Sequence, residues 1–470
     1  MNLRRLSPAL LAISSLVISA CSSDTSPEER EFARATESLK TAITSASGGQ
    51  GLAAFTLPDP SDLANIPADP SNPLTAEKVA LGQLLYHETA LAQNPNDPAH
   101  QNDYSCASCH HVAAGFKSGV PQGIAEGGTG FGLVGEGRVL RAGMDASAPA
   151  GSPLLPDLQP LASPTVLNAA FQEVMLWNGQ FGNAVNGVVN TGIDPTILST
   201  VGTPKENNTR QLAGVEIQAV AGLGVHRLNV ETDSVLQTNA EYAALFDAAY
   251  PSSTDVLEDA AKAIAAYERT LLATEAPFQR WLRGDEQAMN LQEIKGAELF
   301  FGKANCVACH TGRALSSPVG ATEDRMFFAV GFADFDLADP RIHGTVGEAV
   351  AKGRGGFTGD AAFDFTFKVP QLYNLTDSAI LGHGASFTRV RDVVAYKNAA
   401  VAQKPSAIPN LASEFVPLGL SDTEIDDLTA FLETGLYDAN LQRFVPASLP
   451  SGNCFPVNDV QSQTEIGCGP

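Results

Sequence analysis

The pattern Cys-x-x-Cys-His occurs twice in this 470-residue chain, at residues 106–110 and 306–310. It binds two thiols and an imidazole into one short stretch of chain. That is the attachment signature of c-type haem, in which the thiols form thioethers with the vinyl groups and the histidine sits beneath the iron. A zinc site built from the four cysteines would give neither histidine a reason to follow its cysteine directly. Two such motifs in one chain therefore read as two covalent haems, held by Cys106, Cys109 and His110 and by Cys306, Cys309 and His310. Of the three other cysteines, Cys454 and Cys468 enclose a short loop and are expected to form a disulfide in an oxidising compartment, a free-thiol role being the alternative.

Cys21 belongs to an export signal. Arg4 and Arg5 precede an apolar run at 11–18 that closes on Ser19, Ala20 and Cys21. The Ile-Ser-Ala-Cys ending resembles a bacterial lipobox. Residues 1–20 are read as a lipoprotein signal peptide and Cys21 as the lipidated N-terminus, with plain secretion as the alternative. Ser22 then directs the protein to the periplasmic face of the outer membrane, or the chain resides free in the periplasm. Contact with the membrane is expected through the lipid anchor only, because the longest mainly apolar stretch, 9–20, is shorter than the roughly 20 residues of a spanning helix. With 52 Asp and Glu against 29 Lys and Arg, the net charge of −23 argues against nucleic acid as a partner. Residues 21–52, rich in Ser, Thr, Glu and Ala, read as a tether with a short helix near 28–39.

The contexts of the two motifs suggest an internal repeat. Residues 77–87, with Leu81, Leu84 and Leu85, and residues 291–301, with Ile294, Ala297, Leu299 and Phe300, each predict a helix leading into a haem motif. Residues 256–272 predict a long amphipathic helix, and 421–436 another, capped by Ser421 with Glu424 three residues on. Stretches rich in Gly and Pro at 115–143, 145–164 and 331–359 predict loops. The fold expected is mostly α, with two cytochrome c-like domains of class I and one covalent haem each. The divisions are a haem domain at 53–275, a second at 276–440 and a disulfide-closed tail at 441–470.

Four further stretches resemble the bacterial di-haem cytochrome c peroxidases, a family that includes the MauG-type oxidases. They are Pro164-Thr-Val-Leu-Asn-Ala-Ala-Phe171 with Leu176-Trp-Asn-Gly179; Ala261-Lys-Ala-Ile264 through Tyr267-Glu268; Ala276-Pro-Phe278 with Trp281-Leu-Arg-Gly284; and Phe367-Lys-Val-Pro-Gln-Leu-Tyr-Asn374 followed by His383-Gly384. The resemblance implies a peroxidatic haem on His110, an electron-entry haem on His310 and Trp177 between them. It implies reduction of hydrogen peroxide to water with electrons from a small donor protein, a cytochrome c or a cupredoxin, and it allows a homodimer. A MauG-like oxidase acting on a partner protein and a lipid-anchored electron-transfer cytochrome are the alternatives.

Departures from the family pattern are as informative. No histidine lies between His111 and His226, so the first iron is expected to be five-coordinate or weakly water-ligated, and the protein active without pre-reduction; Met144 is the reserve ligand in that loop. Over the open face the family pairs a glutamine with a glutamate. Here Gln218 is followed by His226 and Arg227, with Leu228 at the position of an ungapped match. His226 is expected to move the protons, since an imidazole titrating near ~6.5 suits that task, and Arg227 to stabilise the departing hydroxide. The sixth ligand of the second haem has no methionine in the usual place, which leaves Lys397, Tyr396 and, if its loop folds back, Met326. The resemblance further implies one calcium ion between the domains, at Ala162, Ser378 and Ile380, with Ala162 standing where an asparagine would offer its amide oxygen.

Overall fold

The computed structural model describes residues 26–182, 184–185, 188–189, 210, 212–317 and 321–468; the expected signal peptide and Cys21 lie outside them. Its principal helices are α1 (Pro27–Ala46), α2 (Ala76–His87), α3 (Gly214–Val225), α4 (Val256–Thr270), α5 (Leu291–Phe301), α6 (Val390–Ala399) and α7 (Asp422–Ala430). Strand pairing among the described residues amounts to two-residue antiparallel ribbons and isolated bridges, so the protein is mostly α.

Side-chain oxygens set the helix starts. Thr75 accepts from the Lys78 N–H ahead of α2 and Asp255 from the Glu258 N–H ahead of α4. Reciprocal capping boxes, Asn290 with Glu293 and Ser421 with Glu424, open α5 and α7. Beyond α7 the chain continues through a π-helical turn, Phe431–Gly435.

Two helix pairs repeat one contact. A Cβ on Gly82 of α2 would stand 1.8 Å from the Ala263 carbonyl oxygen of α4, and one on Gly296 of α5 would stand 2.0 Å from that of Asp427 in α7. Each crossing brings backbone against backbone, which only glycine permits. The internal repeat read from the sequence thus exists in space, as two glycine-centred crossings that each involve the helix preceding a haem motif.

Three segments differ from expectation. Residues 27–46, read as part of a tether, form a 20-residue helix with Leu39 and Ile43 fully buried. Ion pairs Lys295–Glu31 and Lys40–Glu286, both 2.6 Å, and a bond from Ser38 to Glu298 fasten it to α5 and the turn before it. Its inward face, Phe32, Ala35, Leu39, Ala42, Ile43 and Ala46, is built largely of alanine and diluted by Ser, Thr and Glu, which hides it from a composition reading. Helix α4 is amphipathic in sequence but buried on every side beyond its first turn: residues 260–270 are all buried, because α2 and α3 both pack on it. Arg269 of α4 enters this interior paired with Glu216 of α3 at 2.5 Å. Within 331–359, read as loop, the short helix Gly353–Thr358 carries the fully buried Arg354, paired with Glu323 at 2.5 Å.

The chain ends are exchanged. While α1 rests on α5, the C-terminal segment returns to the neighbourhood of the first haem motif. Ser105 and Ser108 donate to the Pro456 carbonyl at 3.1 and 2.8 Å, and Thr89 to that of Cys454 at 3.1 Å. Asp459, which caps the helix Val460–Ile466, also accepts from Thr129 at 2.8 Å and faces Arg138 at 3.5 Å. Cys454 and Cys468 are joined as a disulfide. One apolar core runs through both halves, from Leu39 and Phe278 to Leu85 and Tyr242.

Where calcium was expected, one of the two carbonyls is taken, and Ala162 has no amide oxygen to offer in place of the asparagine. The buried Lys117 ammonium donates to the Ile380 oxygen, and the Trp177 indole N–H donates to the Ala162 oxygen at 2.6 Å. Ser378 uses its hydroxyl to reach the Ser118 carbonyl at 3.3 Å. A hard dication needs about six to eight free oxygens, and here a fixed ammonium already stands against one of the few available. The calcium expectation is therefore not met by this donor set. Two outcomes follow. Exhaustive chelation should leave the thermal midpoint unchanged in calorimetry. Gly82→Ala and Gly296→Ala should each lower stability by about 1–3 kcal/mol, the usual cost of overpacking, in thermal or denaturant unfolding.

Candidate functional site

The second motif folds as a single 3-10 turn, Cys306–Ala308, closed by the His310 N–H on the Cys306 oxygen at 2.9 Å. Cys306, Cys309 and His310 line one deep cavity whose remaining wall is mainly apolar, with Phe300, Phe332 and Leu428 among its residues. His310 Nδ1 lies 3.1 Å from both the Leu315 and the Pro370 carbonyl oxygens. That fixes the proton on Nδ1 and leaves Nε2 as the ligand atom. Burial pulls the imidazole down to about 4, which favours the neutral, metal-binding form. Two thiols and a prepared imidazole at one apolar cavity fit a covalently held haem.

The three candidates for the opposite ligand are not equivalent. Lys397, on α6, lines the cavity, with its ammonium 5.2 Å from the Phe332 ring centre and 5.3 Å from that of Phe415. Burial lowers this amine to about 8. Tyr396 is turned away: its hydroxyl donates to the Val330 carbonyl at 2.6 Å and its ring packs behind Phe332, Phe387 and Phe415. Met326 is not brought to the cavity at all. It is buried in a separate apolar cluster with Val174 and Phe327, held there by the ribbon that pairs Phe327 with Lys368. Trp177 lines the cavity, and through its bond to Ala162 it touches the strand of chain that continues to Pro164, whose backbone faces His110.

The first motif folds in the same way, as the turn Cys106–Ser108 with the His110 N–H on the Cys106 oxygen at 3.1 Å. The Tyr86 hydroxyl donates to the His110 carbonyl at 2.5 Å. His110 is pulled down to about 4, first by burial and then by the charge of His226, which places His226 within electrostatic reach of it. Helix α3 makes that approach. Gln218, Gly222 and the C-cap residue His226 follow one another at intervals of four and share a face, and the His226 ring lies 3.9 Å from where a Gly222 Cβ would stand.

His226 and Arg227 each hold a carboxylate. His226 Nδ1 lies 2.6 Å from Asp157 Oδ2, and Arg227 Nε lies 2.6 Å from the fully buried Glu126 Oε2. Adjacent residues on a helix could not both do this. Arg227 has left the helix, with φ at 57°, and the two acids are themselves joined by the Asp157 N–H on the Glu126 oxygen and the Ala125 N–H on the Asp157 oxygen, both 3.0 Å. Burial disfavours charge on His226, but Asp157 outweighs it and holds the imidazole above its ordinary range. Burial likewise opposes charge on Asp157, and His226, followed by Arg227, keeps it below the usual carboxylate range. Leu228, the alternative to His226, is buried in the main core.

Gln218 Oε1, Arg227 Nη2 and the Tyr104 hydroxyl are buried polar atoms that make no hydrogen bond of full geometry among the described residues, and the Arg227 guanidinium and Tyr104 hydroxyl approach each other. Arg227 acts electrostatically on Tyr104, so at least these two face one space. The Met144 methyl lies 2.5 Å from where a Cβ on Gly127, the residue after Glu126, would stand. Asp157, Glu126 and Tyr104 were missed in the sequence. The available signal was an acid set into each of two Gly- and Pro-rich loops, and nothing in the sequence pairs those loops.

Residues 76–287 match the family model described as di-haem cytochrome c peroxidase. The methylamine utilization protein MauG of Methylorubrum extorquens is 28% identical over 79% of this chain and 81% of its own. The cytochrome-c peroxidase IdrP1 of Denitromonas iodatirespirans is 27% identical over 83% of this chain and 89% of its own. A crystal structure of a MauG-like protein associated with microbial copper homeostasis superposes with a TM-score of 0.52 at 21% identity, covering 82% of this chain and 95% of that one, a likeness of fold. With two Cys-x-x-Cys-His turns and a match to that family's model over residues 76–287, the chain is similar to the di-haem cytochrome c peroxidases and to the MauG proteins.

Proposed function

We propose that the protein is a di-haem peroxidase that reduces hydrogen peroxide to water, using electrons from a small periplasmic donor. Electrons enter at the haem of His310 and reach the haem of His110 by way of Trp177. The observation that carries this reading is the constellation beside His110: a histidine braced by one buried acid, an arginine braced by another, and three buried polar atoms that make no hydrogen bond of full geometry. The haems, when bound, supply the iron that peroxide meets and the electrons that reduce it. Asp157 keeps the His226 proton on Nδ1, which leaves Nε2 to take the first proton from peroxide and return it to the leaving oxygen. Arg227, oriented by Glu126, presents Nη2 to the negative charge of the departing hydroxide. Gln218 and the Tyr104 hydroxyl hold the substrate oxygens in position.

Lys397 is the sixth ligand of the second haem in this reading, because it alone of the three candidates lines that cavity. A nitrogen ligand in place of a thioether should lower this haem's potential. That feature favours a second reading, a MauG-like oxidase that acts on a partner protein. Steady-state turnover of peroxide with a reduced small cytochrome separates the two readings, since only the peroxidase consumes the cytochrome stoichiometrically. The lipid anchor on Cys21 and a place at the periplasmic face of the outer membrane complete the proposal.

His226→Ala should reduce kcat/KM for peroxide by about 10²- to 10⁴-fold with both haems retained. A neutral imidazole is needed to accept the proton, and Asp157 raises the His226 pKa, so kcat/KM should rise with pH through a value above the ordinary histidine range. Asp157→Asn should move that limb to lower pH; stopped-flow rates across the pH range measure both. Lys397→Ala should abolish the low-spin spectrum of the second haem, whereas Tyr396→Phe should leave it intact.

A further inference from the structure

Three lysines line the second cavity, and two have their charge accounted for. Lys404 is paired with Asp334 at 2.6 Å, and Lys397 is the residue assigned above to the iron, as a neutral amine. Lys368 has neither. Its side chain is buried at the inner end of the cavity beside Trp177, whose carbonyl accepts the Lys368 N–H at 2.7 Å, and its ammonium donates to the neutral Gln172 side chain. Burial alone acts on this amine, lowering it to about 8, with no acidic group to offset the loss of water. An ammonium without an anion in such a place is costly by several kcal/mol and is retained where something negative completes it.

We propose that Lys368 is the counter-ion of a carboxylate on the group that fills this cavity, a propionate of the second haem, and that its charge raises the potential of that haem. The proposal rests on the reading of the cavity as a haem site. A positive charge close to the iron favours the reduced, more electron-rich state, and the low dielectric of the interior preserves the effect. The lysine also belongs to the segment that reaches Pro370, the carbonyl that orients His310. One short stretch of chain, 368–370, therefore serves both the iron's proximal ligand and, on this assignment, the edge of the macrocycle.

The test uses the holoprotein and the variants Lys368→Met, Lys368→Arg and Lys117→Met. Lys117 is a partly buried lysine without an acidic partner that does not line this cavity, and it serves as the control for loss of an inward-facing charge. Haem content by pyridine haemochrome comes first: one haem per wild-type chain instead of two would refute the haem reading itself. With both haems bound, Lys368→Met should lower the midpoint potential of the second haem and shift its propionate bending mode in resonance Raman spectra, while Lys368→Arg restores both. Should Lys368→Met fail to retain the haem, Lys368→Arg decides, and it should keep the haem with a near-native potential. An unchanged second-haem potential and Raman mode in Lys368→Met, an equal shift in Lys117→Met, or loss of the haem in Lys368→Arg would overturn the assignment.

Discussion

Two contacts between bare backbones organise the molecule. Where Gly82 meets Ala263 and Gly296 meets Asp427, the absence of a side chain lets two helices cross at a distance that no other residue tolerates. The chain that leaves each of α2 and α5 then runs into a Cys-x-x-Cys-His turn, so the crossing fixes the origin from which that turn is measured. Everything with chemical consequence, from the tautomer of His310 to the approach of α3 toward His110, is built outward from these two points.

The helices of this architecture were legible because their information is local. Residues 76–87, 291–301 and 422–430 carry caps and periodic apolar positions that need no partner to be read. The haem motifs were legible because covalent attachment confines its ligands to five consecutive residues. Other features depend on residues far apart in the chain. Asp157 supports His226 across 69 positions and Glu126 supports Arg227 across 101, and neither acid stands at a spacing that singles it out. The same holds for Lys117, which meets Ile380 across 263 positions and occupies the oxygen to which a metal had been assigned. Helix α1 is an intermediate case: its inward face is present in the sequence but too diluted to be separated from solvated polar chain without knowing that α5 waits for it.

The distal arrangement has a physical logic of its own. A lone histidine in a buried cavity loses its charge easily, and a lone arginine there is expensive. Here each is matched to one acid, and the acids are tied together through the main chain, so neither base nor cation can move without the other. This is preorganisation by a short ribbon of backbone bonds, achieved with a histidine and an arginine where the family pattern has a glutamate.

The exchanged ends have a consequence for how the protein is made. Synthesis proceeds from residue 1, so Cys106, Cys109 and His110 emerge more than three hundred residues before the segment that bonds to Ser105 and Ser108. Throughout that interval the first motif lacks its cover and is open to the enzyme that must attach a haem. The cover of the first motif is thus supplied by a segment made long after the motif itself.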